Sequence, residues 1–118
     1  MTQYQGANLT LMVKDFPAAV SFYSEVLGFA VKMRAGNDWC ELEAPGLALA
    51  LHPTYGQPIS PGSAATIGLQ VADIRATRDD LMGRGVAFTS DVIDTGHLLL
   101  ANFTDPEGNP MYLAQLAG

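Results

Sequence analysis

From Asn8 to Val13 the chain alternates: Leu9, Leu11 and Val13 fall on one side, Asn8, Thr10 and Met12 on the other. The same alternation returns from Thr66 to Val71, with Ile67, Leu69 and Val71 set against Thr66, Gly68 and Gln70. A period of two predicts a strand with one dry face. Each run leads into an aspartate, as Val13-Lys14-Asp15-Phe16 and Val71-Ala72-Asp73-Ile74. The displacement between the two aspartates is 58 residues in a chain of 118, which marks an internal repeat of half the chain.

After each aspartate the period becomes helical. Phe16, Ala19, Tyr23, Val26 and Leu27 share one face in the first copy; Ile74, Thr77, Leu81 and Met82 form the stripe in the second. Asp15 and Asp73 read as N-caps, and Pro17 is tolerated in a first turn. Gly28 offers a left-handed stop, and Gly83 or Gly85 does so in the second copy. Three strands are predicted after each helix: Phe29–Arg34, Trp39–Glu43 and Leu47–His52, then Val86–Thr89, Leu98–Thr104 and Met111–Leu116. Asp105-Pro106-Glu107-Gly108-Asn109-Pro110 is dense in turn residues and reads as the hairpin before the last strand. Between the halves, Pro53, Pro58 and Pro61 with Gly56 and Gly62 break both periods. The layout is α+β, βαβββ twice, in one domain over 1–118: module 1 at 5–54, a linker at 55–64 and module 2 at 65–118.

Composition narrows the function classes. Apolar residues make up 48% and charged residues 15%, a globular balance. Twelve acidic and six basic residues give a net charge of −6, which argues against nucleic acid and against a polybasic membrane anchor. No apolar run approaches the ~20 residues that span a bilayer, and Met1-Thr2-Gln3-Tyr4-Gln5 shows no leader pattern. The single Cys40 has no intrachain disulfide partner and, alternating with Leu42, reads as a small core residue. A cytoplasmic location is the expectation.

Val13-Lys14-Asp15, Phe22-Tyr23-Ser24-Glu25-Val26-Leu27-Gly28-Phe29 and Asp105-Pro106-Glu107-Gly108-Asn109 together resemble the vicinal oxygen chelate superfamily. This group includes glyoxalase I, the bleomycin- and fosfomycin-resistance proteins and the extradiol dioxygenases. The resemblance covers nearly the whole chain. It implies that the two βαβββ modules form a cupped mixed sheet around a ligand cavity, and that the protein is a homodimer.

Metal-dependent members are similar in carrying His or Glu at inward strand positions, which fall here on Asn8, Thr66, Tyr112 and Ala48 or Ala50. Alanine has no donor, and a neutral amide or hydroxyl is a weak ligand for Zn²⁺, Ni²⁺ or Fe²⁺. No metal and no cofactor is therefore expected. His52 and His97, 45 residues apart, have no ligand spacing. His52 reads equally as a cavity wall or a loop edge. Glu41 and Glu43 share a face with Trp39, either solvated or as cavity carboxylates. No serine sits in a nucleophile signature, and Gly83-Arg84-Gly85 is too short for a dinucleotide fingerprint.

The expected function is metal-independent binding of a small molecule, antibiotic-like or aromatic, with Asn8, Thr10, Trp39, Ala50, His52, Thr66, Gln70 and Tyr112 as ligand-binding residues. The alternative is a metal-dependent lyase, isomerase or dioxygenase of the same superfamily; catalytic residues are not assigned. Tyr112 is expected to point away from Met111 and Leu113, as a ligand wall or as a plug.

Overall fold

The computed structural model describes residues 7–56 and 66–116. The N-terminal residues 1–6 and most of the expected linker lie outside that range. The chain divides into two compact units, Met1–Ile59 and Ser60–Gly118.

The first unit runs β1 (Leu9–Val13), α1 (Phe16–Ser21), a π-helical turn (Phe22–Val26), β2 (Ala30–Ala35), β3 (Trp39–Ala44) and β4 (Leu47–Pro53). Its sheet has the order β1-β4-β3-β2, with β1 parallel to β4 and the other pairs antiparallel. The Asp15 carboxylate caps α1 by accepting from the Ala18 N–H at 3.1 Å. Phe16, Ala19, Val20, Phe22 and Tyr23 are buried, over a strand face of Val13, Cys40, Leu42, Leu49 and Leu51 with almost no exposure. Gly28, at φ 83°, closes the helical segment as the sequence implies. The one helix expected here is instead an α segment that widens into a π turn, and its Leu27 N–H reaches back to the Phe22 carbonyl at 2.9 Å.

The second unit runs β5 (Ile67–Gln70), α2 (Ile74–Gly83), β6 (Ile93–Asp94), β7 (Leu98–Thr104) and β8 (Pro110–Leu116), with sheet order β5-β8-β7-β6. Asp73 caps α2 through the Ala76 N–H at 3.1 Å, and the Ile74 N–H donates to Gln115 Oε1 at 2.8 Å. Ile74 and Leu81 are buried, but Met82 is exposed and leaves the expected stripe. The hairpin before β8 is organised by Asp105, itself buried. Its carboxylate accepts from the N–H groups of Glu107 and Asn109 and from the Asn109 side-chain amide, at 2.8–2.9 Å.

One expected strand is corrected. Val86–Thr89 contributes only an isolated bridge, Phe88 with Phe103, and the edge of the sheet passes to Ile93–Asp94. The physical reason is local. The Val86 N–H closes the helix end on the Leu81 carbonyl, and the Ser90 hydroxyl accepts the Asn102 N–H that a ladder partner would otherwise take.

The strand parity follows the alternation in the sequence. Val13 and Ile67 are buried and Leu9, Leu11, Leu69 and Val71 half-buried, whereas Asn8, Thr10, Met12, Thr66, Gly68 and Gln70 are exposed. Among the described residues no helix is long and apolar enough to cross a membrane.

Candidate functional site

Each sheet buries one face and leaves the other open, and strand register states which side chains share the open faces. In the first unit, Met33, Glu41, Ala50 and Thr10 lie in one row across β2, β3, β4 and β1. The adjacent row contains Ala35 opposite Trp39 and His52 opposite Met12. Thr10, Trp39, Ala50 and His52 are thus on one face, with Asn8 at its end, where Asn8 Oδ1 accepts from the Thr10 hydroxyl at 3.0 Å. Ala50 has no exposed surface, so it presents nothing to a ligand.

Polar contacts orient the rings. The Trp39 Nε1–H donates to Glu41 Oε2 at 2.9 Å. His52 Nδ1 lies 2.7 Å from the Pro53 carbonyl, which can only accept, so Nδ1 carries the proton. The Trp39 and Tyr55 planes stand at 80° and 88° to the imidazole, with centroids 6.1 and 5.6 Å away. Tyr55 donates its hydroxyl to Asp38 Oδ1 at 2.9 Å, and that bond holds the phenol's pKa above its ordinary range. Cys40 is on the opposite, helix-covered face; burial pushes its thiol pKa up against the pull of Arg34, so it is not an activated nucleophile.

In the second unit, Gly68, Tyr112 and Asn102 form one row, and Gln70, Ala114, Leu100 and Ile93 the next. Met111 and Leu113 are buried on the other side, and Tyr112 lies over Gly68. A Cβ at position 68 would overlap the Cζ and Oη atoms of Tyr112, so glycine is what lets the ring lie there. Gly68, Gln70, Leu98, Tyr112, Ala114 and Leu116 line an open concavity of about 290 Å³. Thr66 is exposed at the start of this strand, and its hydroxyl donates to the Pro110 carbonyl at 2.7 Å. The structure therefore divides the expected residues between two faces. Asp38, Tyr55, Gly68 and Leu98 were not among them. Tyr55 hides in the Pro/Gly-rich stretch, and the role of Gly68 depends on a strand pairing.

The residues at the superfamily's metal positions do not fit a divalent ion. Asn8 Oδ1 already accepts from the Thr10 hydroxyl and the Thr66 hydroxyl donates across to the Pro110 carbonyl of β8; both groups are neutral, and Ala50 has no donor. Tyr112 is a phenol, which ligates well only after losing its proton. Among the described residues no three His, Cys, Asp or Glu side chains gather in one place.

A model of the Glyoxalase/Bleomycin resistance protein/Dioxygenase superfamily matches residues 7–112. The uncharacterized protein YurT of Bacillus subtilis is 32% identical over 121 residues, covering 90% of this chain and 94% of that protein. An uncharacterized protein of Mycolicibacterium smegmatis is 28% identical over 109 residues, covering 92% and 91%. Among solved structures, a glyoxalase/bleomycin resistance protein/dioxygenase from Nocardioides superposes with a TM-score of 0.77 at 23% identity, over 98% of this chain and 85% of that one. With a family match across most of its length and the same fold in a solved structure, the chain belongs to the Glyoxalase/Bleomycin resistance protein/Dioxygenase superfamily.

Proposed function

We propose that the protein binds a small, uncharged, planar organic molecule without the help of a divalent metal. The observation that carries this reading is the concavity on the second sheet. Its volume, about 290 Å³, is close to the lower end of small-molecule sites and suits one ring system. Leu98, Ala114 and Leu116 supply apolar wall, Tyr112 a plate with a hydroxyl at its tip, and Gln70 an amide that both donates and accepts. No charged residue lines it, so a neutral ligand loses less solvation there than an ion. The donor chemistry at Asn8, Ala50, Thr66 and Tyr112 supports binding without a metal. A cytoplasmic homodimer is part of the proposal: β2 leaves all six residues exposed along a sheet edge, and Cys40 is a free thiol.

The test is a thermal-shift panel of neutral aromatic and heteroaromatic compounds on the purified protein and on Tyr112→Ala. A ligand present at about 100 times its Kd stabilises by about 2.7 kcal/mol, enough to move the melting temperature by several degrees. The expected result is at least one such shift, lost in Tyr112→Ala while that variant still melts cooperatively. Binding that requires one equivalent of zinc, nickel or iron would overturn the proposal and favour the lyase, isomerase or dioxygenase reading.

A further inference from the structure

The open face of the first sheet carries chemistry that the neutral concavity does not. Three rings, Trp39, His52 and Tyr55, meet edge to face in sequence, and the donor hydrogens of the indole, of His52 Nδ1 and of the phenol are already spent on Glu41, the Pro53 carbonyl and Asp38. What they offer to a visitor is therefore π surface rather than donors. Two of those rim partners are the carboxylates of Glu41 and Asp38, each accepting from an aromatic donor that fixes its place. Among the described residues neither carboxylate is in an ion pair, unlike Asp91 with Arg78 and Asp80 with Arg84 in the second unit. Arg34, on the neighbouring strand, spends its guanidinium on the Gly36 carbonyl and Asn37 Oδ1 and lies over Phe16 on the helix side.

The surroundings are apolar and open. Met12 and Met33, 38% and 47% exposed, occupy the same two rows of this face, and Tyr55 is 67% exposed. Tyr55 is also the one non-glycine residue at positive φ among the described residues, at 51°. That backbone costs energy for a tyrosine, and here it sets the ring beside His52 and the hydroxyl on Asp38.

We propose that this face, built on Trp39, His52 and Tyr55 with Glu41 and Asp38, is a binding site for an organic cation of the alkylammonium class. Aromatic faces carry the negative end of the ring quadrupole and attract ammonium groups. Methionine side chains adapt to alkyl substituents. The two carboxylates select charge: a neutral guest desolvates them without return, and an anion is repelled. The net charge of −6 draws cations towards the protein as a whole. This proposal does not rest on the neutral concavity of the second unit, and either reading can hold without the other.

Trp39 is the sole tryptophan of the chain, so its emission reports on this face directly. The experiment titrates the full-length protein with choline and with 3,3-dimethylbutan-1-ol, its uncharged carbon isostere. Choline is expected to give a saturable change in Trp39 emission, with the alcohol about tenfold weaker or more. Glu41→Gln and Asp38→Asn should each weaken choline about three- to tenfold, with unchanged far-ultraviolet circular dichroism. Asp79→Asn, which removes the same charge from the exposed face of α2, should leave the titration as it was. The proposal is overturned by equal binding of the two probes or by no saturable signal. An Asp79→Asn loss as large as that of Glu41→Gln also overturns it, since the effect is then general charge.

Discussion

Laid over one another by the 58-residue repeat, the two units agree on one side of their sheets and part on the other. On the helix side apolar meets apolar in both: Leu9 beside Leu49 and Leu42 in the first, Ile67 beside Met111 and Phe103 in the second. On the open side Thr10, Ala50 and Glu41 correspond to Gly68, Tyr112 and Asn102. One row further, Met12 and His52 correspond to Gln70 and Ala114. Aromatic bulk has moved along the strand by two residues, and the Glu41 carboxylate has given way to the Asn102 amide. The fold is specified by the side that repeats, and the proposed recognition belongs to the side that does not.

The largest effects should therefore be equal in the two units. Leu42→Ala and Phe103→Ala, both at fully buried positions, should each lose about 2–5 kcal/mol in urea unfolding. A loss under about 1 kcal/mol in only one of them would break the symmetry of the dry faces. Open-face changes should be unequal. Gly68→Ala displaces the Tyr112 ring and should cost about 1–3 kcal/mol, whereas Thr10→Ala at the matching exposed position should stay within about 0.5 kcal/mol. Equal costs at 10 and 68 would mean that Tyr112 does not depend on the missing Cβ.

The smallest effect concerns Tyr55. Donation to the Asp38 carboxylate favours the neutral phenol, so its titration is raised. The bond's contribution is thus complete below the ordinary tyrosine range and disappears only as pH climbs through the raised value. In an alkaline titration followed by ultraviolet difference absorbance, Asp38→Asn should shift one tyrosine of the four to lower pH. No shift would detach Tyr55 from the acidic face.

Strand parity was legible because a period of two commits every side chain of a half-covered strand to a face, as the buried Val13 beside the exposed Met12 shows. Both caps were legible for a similarly local reason, since Asp15 and Asp73 act on N–H groups three residues ahead. Contacts between distant positions were not. The Tyr55 bond to Asp38 spans 17 residues, and the Gln115 contact that finishes the start of α2 spans 41. Val86–Thr89 misled because alternation is blind to a hydroxyl, that of Ser90, taking a strand's place. The open faces were only half readable: residue types suggested polar and aromatic walls, but the separation into an acidic and a neutral face appears only once register is known.

The π-helical turn at Phe22–Val26 bears on how the two halves could diverge in length. An α-helix counts strictly, so a residue gained or lost swings everything beyond it through about 100°. A π turn holds an extra residue per turn and is slack of a defined size. Here neighbours Phe22 and Tyr23 are both buried, and the Ser24 hydroxyl donates to the Val20 carbonyl at 2.6 Å. Among the described helical segments, this is where a one-residue change in length is absorbed most readily before Gly28 resets the chain for β2. Deleting Ser24 should then leave a cooperatively melting protein, whereas deleting Arg78 from the purely α-helical α2 should not.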